Sequence, residues 1–358
     1  MINLDMSYHT RLLNYVRDRE FLTKMIKDNL SRSIHADKTV DWSYENNPCQ
    51  NACGHILEYT DGQHQNDNVG VLSIAYRDFY FNQKKLRAAL CGDFVVTAGH
   101  RSLQPALKLI KDSVQSELDS CLFVYGFPNE KALGVLKMSG FKAVGKLTRY
   151  ACVLKTGRYM RQKIKNLVIA GFISNLIDLI RCPLVHFQDV VRTKNIKITE
   201  TFNFATDVDK ISKNSAINHL IFNCRSSLYL NWRYFAKPDN AYVGLVCSRF
   251  NGTQLVSYAV LEHEHKSNTI HVRDMLFSCN RALVQLLSAI RIWAYKHNAD
   301  SISMSILAPD DIAELIMYAG FSPRESVRNV LVKTNDSNIL QILLNKNSWF
   351  LLDGDEDQ

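Results

Sequence analysis

Apolar and polar positions alternate in short runs along the first third of the chain, separated by stretches with a helical period. The alternation predicts strands over Tyr8 to Tyr15, Asn51 to Tyr59 and Asn68 to Tyr76, with a helix near Arg19 to Asn29. A strand over Leu86 to Ala98 runs through Gly99-His100-Arg101 into a helix from Leu103 to Leu118, whose Leu107, Leu109, Ile110 and Val114 approximate one face. A strand that feeds a helix through so short a turn is an anion-binding geometry, because the first helical N–H groups have no intrahelical partner. A strand Cys121 to Tyr125, the turn Gly126-Phe127-Pro128-Asn129, a short helix to Ser139 and a closing hairpin from Phe141 to Leu154 follow.

The second half repeats this order. Strands are predicted near Ile196 to Phe202, Ala241 to Arg249, Gln254 to Glu262, Thr269 to Phe277, Ser301 to Ile306 and Phe321 to Val332. Helices are predicted over Asp207 to Ser227, Arg281 to His297 and Pro309 to Tyr318. The clearest internal match sets residues 121 to 141 beside residues 301 to 321, each a strand and a short helix ending in Gly-Phe. The expected fold class is α/β (α+β), with two like domains in tandem, each a mixed, mostly antiparallel sheet flanked by helices. The expected boundaries are 1–155 for the first domain, 156–190 for a connector helix, 191–350 for the second domain and 351–358 for an acidic, frayed tail. The connector is basic at first (Arg158, Arg161, Lys163, Lys165) and then apolar from Leu167 to Ile180. That apolar run is short of the roughly 20 residues a bilayer crossing needs, so the helix is expected between the domains, with membrane-surface contact through 158–181 as the other reading.

Composition narrows the class. With 46% hydrophobic and 22% charged residues among 358, and only 15 Gly and 7 Pro, the chain has the makings of two packed cores and little disorder. Lys and Arg outnumber Asp and Glu by 43 to 35, which favours an anionic small molecule but is too dispersed for a DNA-binding stripe. The nine cysteines form no C-x-x-C pair and read as reduced core residues, Cys49 and Cys53 included. The start of the chain carries no secretory pattern, so a cytoplasmic location is expected.

On Trp42 to Pro48, His100 to Ala106, Gly126 to Asn129, Asn231 to Tyr234 and the terminal Trp349, Asp353 and Asp355, the chain resembles the GNAT superfamily of acyl-CoA-dependent N-acyltransferases. The resemblance is to tandem, Fem-like members associated with polysaccharide biosynthesis, and it spans nearly the whole sequence. It implies an acyl-CoA co-substrate, no metal, and direct attack of an amine on the thioester. It places the coenzyme pyrophosphate on the turn made by His100, Arg101, Ser102, Leu103, Gln104 and Ala106, and the pantetheine arm beside Asn129, which is equally a good helix cap. The turn departs from the family pattern at Gln104, where a glycine is usual, and Pro105 has no N–H to offer.

For the chemistry, the resemblance implies a base for the amine and often an acid for the thiolate. The position of the usual acid tyrosine holds Leu136 in one half and Ile316 in the other, which leaves Tyr125 as the nearest phenol in the first half. Asp93 is the preferred base, with His100 and Glu130 as alternatives. Arg233, Tyr234 and Arg273 are candidates to meet an anionic acceptor, an amine on a sugar, nucleotide-sugar or related metabolite; a helix end packed on the sheet would also explain the first two. Two other functions stay open at this level: an aminoacyl or peptidyl transferase using transfer RNA, and a catalytically silent binding module. Glu262-His263-Glu264-His265 is read as a solvent-exposed hairpin end, because alternation on a strand leaves only two metal-capable groups per face.

Overall fold

The computed structural model describes residues 7–29, 35–48, 53–61, 66–82, 84–238, 241–250, 252 and 254–356. The first half runs β1 (Ser7–Leu12), α1 (Tyr15–Asn29), α2 (Ala36–Tyr44), β2 (Cys53–Thr60), β3 (Asp67–Phe81), β4 (Lys84–Val96), α3 (Leu103–Leu118), β5 (Phe123–Gly126), α4 (Glu130–Met138) and β6 (Lys142–Val153). Two helices connect the halves, α5 (Gly157–Lys163) and α6 (Leu167–Thr193). The second half runs β7 (Ile196–Thr201), α7 (Val208–Lys213), β8 (Phe222–Asn223), α8 (Ser227–Leu230), β9 (Tyr242–Arg249), β10 (Leu255–Glu264), β11 (Thr269–Phe277), α9 (Asn280–Lys296) and β12 (Ser301–Leu307). It closes with α10 (Asp310–Tyr318), β13 (Ser322–Lys333), α11 (Ser337–Leu343) and β14 (Leu351–Leu352).

Among the described residues the strands form one sheet, in the order β1-β2-β3-β4-β5-β13-β6-β12-β11-β10-β9-β7, with β8 on β3 and β14 on β12. The pairings are antiparallel except β4 with β5 and β11 with β12. Each parallel pair is joined by a long crossover helix, α3 or α9, as parallel geometry requires. The apolar face of α3, with Leu109, Ile110, Val114 and Leu118, packs on Leu57, Leu72, Ile74 and Val124. On α9 the equivalent residues Leu283, Leu286, Leu287 and Ile290 are fully buried. Each such side chain removed from water contributes about 1.5–3 kcal/mol, so the two crossover helices fix the two parallel pairs.

The order of elements from β2 to β6 returns from β9 to β13, yet the expected closing hairpin at 141–154 is absent: Lys142–Val153 is a single strand. Its partners come from the second half, β12 on one side and β13 on the other. The halves therefore exchange their last long strands, with β13 also pairing β5. Local sequence cannot show a partner about 180 residues away.

Two other expectations are corrected. The span Asp207 to Ser227 is not one helix, since α7 ends at Lys213 and an Asn- and Ser-rich segment leads to β8. The tail is not frayed through 356: Leu351 and Leu352 pair with Leu307 and Ile306, and Asp355 and Glu356 are buried. All cysteines among the described residues are free, Cys279 being exposed rather than in the core, and Cys49 lies outside the described residues.

Candidate functional site

Strands β4 and β5 pair from Ala88 with Phe123 to Cys91 with Gly126, and then part. Both sequences explain the separation. On β4, three steps from Cys91 to Phe94 face two steps from Ile74 to Leu72 on β3, so β4 carries a bulge at Gly92–Asp93. On the other strand, Phe127 and Pro128 end the ladder, since proline has no N–H to donate. Between the parted strands lies a cleft of about 170 Å³, lined among others by Asp93, Phe127, Asn129, Arg328 and Glu356 and floored by Ile110 and Leu136.

Of the expected site residues, Asp93 and Asn129 line this cleft. The Asn129 side chain also caps α4 by accepting from the Ala132 N–H at 3.0 Å, so the two readings of this residue are compatible. Glu130 is exposed on the first turn of α4 and is not among the lining residues. Tyr125 points away from the cleft. Strand alternation sends it into the core on the far face of the sheet, against Phe79, Phe123 and Phe127, where its ring is fully buried. Burial there raises its phenol well above the ordinary value, and its place in the core, outside the cleft lining, keeps it from a leaving thiolate there.

The turn residues divide. His100 ends a short 3₁₀ turn over Ala98–His100, and its Nδ1 lies 3.0 Å from the Tyr8 hydroxyl, with Tyr59 against the ring. Arg101 donates to the Val96 carbonyl and to Asn29. Ser102 is the N-cap of α3 without a side-chain bond, Leu103 and Gln104 are exposed, and Ala106 is buried with its N–H directed at the Ser102 carbonyl. What the turn presents outward is thus the first turn of α3 together with exposed Arg101, while His100 is held by Tyr8.

Arg233, Tyr234 and Arg273 are engaged within the protein: Arg233 donates to the Gly354 and Glu356 carbonyls, and Arg273 Nη1 meets Asp353 at 3.0 Å while its Nε meets Glu262 at 2.6 Å. Tyr234 donates to Asp274 at 3.0 Å. Beside them Arg225, fully buried, bridges Asp274 at 2.6 Å and Asp355 at 2.8 Å. Burial pushes Asp274 up to about 6, opposed by Arg225 and assisted by Asp355. Two carboxylates and one guanidinium in a closed space leave an excess negative charge that a proton relieves.

This anchoring carries Glu356 across to the first-half cleft, where its carboxylate lies 3.4 Å from Arg328 Nε. Neither residue was among those the sequence singled out. A signal existed in the apolar run Trp349-Phe350-Leu351-Leu352 before the acidic residues, which reads as a strand rather than a loose end. In the second half, β11 and β12 part in the same way after Val272 and Met304, but β14 and the turn Asp353–Asp355 fill the gap.

On its other side Asp93 also lines a small cavity with Trp42, Asn47, Arg77 and Trp232. The two indoles stack at 4.8 Å, and the Arg77 guanidinium lies over the Trp232 ring at 5.4 Å. Asp93 therefore borders two spaces, the cleft between the strands and the pocket by the tryptophans.

No family model matches the sequence, and no curated protein sequence matches it. Solved structures do. A GCN5-related N-acetyltransferase from Anabaena variabilis superposes with a TM-score of 0.61 at 10% identity, over 92% of this chain and 73% of that one. N-myristoyltransferase of Saccharomyces cerevisiae with bound myristoyl-CoA superposes at 0.53 and 11% identity, over 91% and 78%. A glucosamine N-acetyltransferase region of a fungal multi-domain β-N-acetylglucosaminidase gives 0.53 at 8% identity, over 91% of this chain and 38% of that one. The chain thus has the fold of the GCN5-related N-acetyltransferases over nearly its whole length.

Proposed function

We propose that the chain is an acyl-CoA-dependent N-acyltransferase whose donor lies in the cleft between β4 and β5 and whose acceptor is a small amine, such as that of a sugar or nucleotide-sugar. The observation that carries this reading is the cleft itself: two strands parted by a bulge and a proline, with Asp93 and Glu356 on its walls. Beyond Cys91 the edge of β4 is released from β5, which suits the amide-bearing arm of the donor, and the α3 N-terminus suits its phosphates. Gln104 and Pro105 make that turn a poorer cradle than a glycine-rich one, so more of the holding falls to the strand edge and Asn129. When bound, acyl-CoA supplies the thioester carbonyl.

Asp93 is the base we assign. Its side chain lines the cleft between the parted strands, where the donor would lie, and on its far side it abuts the closed pocket of Trp42 and Trp232. Asp93 takes the amine proton as nitrogen attacks the carbonyl directly, a role worth about 10²–10⁴-fold. Leu136, at the position of the usual acid, presents only hydrocarbon to the cleft. A thiol with a pKa near 8.5 leaves tolerably as the anion at neutral pH, so the reaction goes forward without a phenol there. The filled gap between β11 and β12 supports a single donor site per chain.

Among the neighbours of like fold, one holds myristoyl-CoA and another is a glucosamine N-acetyltransferase region, and these guide the choice of donors and amines to try. The test is thiol release from acetyl-CoA in the presence of a panel of amines that includes glucosamine and amino nucleotide-sugars. Amine-dependent release supports the reading; coenzyme binding with no release for any amine favours a silent module.

A further inference from the structure

Helix α6 is built inside out. It runs 27 residues, Leu167–Thr193, longer and more continuously apolar than the sequence reading of 167–180 allowed. Its stripe toward the protein mixes small and polar residues, Ala170, Ser174, Asp178, Arg181 and Asp189, with half-buried Ile173, Ile177 and Val185. Asp178 accepts from the Thr156 N–H at 2.9 Å, Arg181 donates to the Val153 and Leu154 carbonyls, and buried Asp189 pairs with Arg291 of α9, Nε at 2.9 Å. These bonds fix the helix rotation and turn the apolar stripe outward, with Phe172 71%, Leu179 72% and Phe187 68% exposed. The helix is about 40 Å long, and apolar surface of that extent on a folded protein marks a place that something covers.

The charges say what covers it. Arg158, Arg161, Lys163 and Lys165 precede the helix on the surface and Lys194 follows it, while the acidic residues between 157 and 195, Asp178 and Asp189, both face the protein. The outward face is therefore mostly apolar, interrupted by Asn175, His186 and Gln188, and the charges at its two ends are positive, the pattern that lies in an anionic lipid interface. A second copy laid antiparallel would set Arg161 and Lys163 beside Lys194, basic against basic. Threading α6 across the bilayer would strip Asp178, Arg181 and Asp189 of the partners above.

We infer that α6 docks this protein flat on an anionic membrane surface, apolar side chains in the acyl boundary and the α5 cations on phosphate headgroups. The inference is independent of the proposed chemistry. The test is flotation of the full-length protein with phosphatidylcholine vesicles containing phosphatidylserine, against phosphatidylcholine alone. The expected result is association that requires phosphatidylserine and weakens with salt. It falls at least about tenfold in Arg161→Glu/Lys163→Glu, and in Phe172→Glu/Phe187→Glu, whose exposed positions leave the fold intact by circular dichroism. Absence of flotation with either lipid overturns it. So does a dimer, seen by sedimentation, that Phe172→Glu/Phe187→Glu converts to monomer while vesicle binding is unaffected.

Discussion

Trp42 and Trp232 exchange hydrogen bonds: each indole N–H donates to the other's backbone carbonyl, at 2.9 and 3.0 Å, and the rings stack at 4.8 Å. The pair ties α2 of the first half to the helical segment after α8 in the second, at the pocket bordered by Asp93. Two buried indoles that satisfy each other need no water and leave a dry wall beside the assigned base.

Because the two rings stack on each other, Trp42→Leu and Trp232→Leu should not be additive, even though each substitution leaves the other indole its backbone acceptor. A double-mutant cycle in denaturant is expected to give a coupling of about 1–2 kcal/mol. Independent costs would show that the stack is incidental.

Asp93→Asn is expected to lower kcat by about 10²–10³-fold while leaving donor binding within about twofold. Glu356→Gln should cost less, about tenfold, since its carboxylate is held by Arg328 at 3.4 Å. The reverse ranking would transfer the base role to Glu356.

The Arg225 bridge makes a pH prediction. Asp274 has its carboxyl raised to about 6 from an ordinary value of 3.8. A raised folded value means the folded state holds its proton longer, so this contribution is full below pH 3.8 and is lost as pH rises through about 6. Asp274→Asn, neutral throughout, should therefore improve relative to wild type between pH 4 and 6 in chemical denaturation. Arg225→Met, leaving two buried carboxylates unpaired, should cost about 3–5 kcal/mol at neutral pH. A constant wild-type-to-Asp274→Asn difference across that range would contradict the raised Asp274 carboxyl.

Much of the architecture was legible because it is local. Helix α3 begins and ends where the apolar period does, and β4, β5 and the turn into α4 follow from alternation broken by Gly126 and Pro128. Asn129 could be named because it follows that break, and Asp93 because it lies on the strand before the turn into α3. Long-range relations were not legible. The exchange of β6 and β13, the crossing of Glu356 into the first half, and the use of Arg233 and Arg273 to hold the tail join residues far apart in sequence. Tyr125 misled for a smaller reason: one step along a strand moves a side chain to the opposite face.

The central claim is that the cleft between β4 and β5 holds acyl-CoA, and calorimetric titration with acetyl-CoA tests it most directly. The account predicts one site per chain with micromolar affinity, abolished by Ala132→Phe, which fills the cleft wall, and retained in Asp93→Asn. No heat of binding, or binding that Ala132→Phe leaves intact, would contradict it.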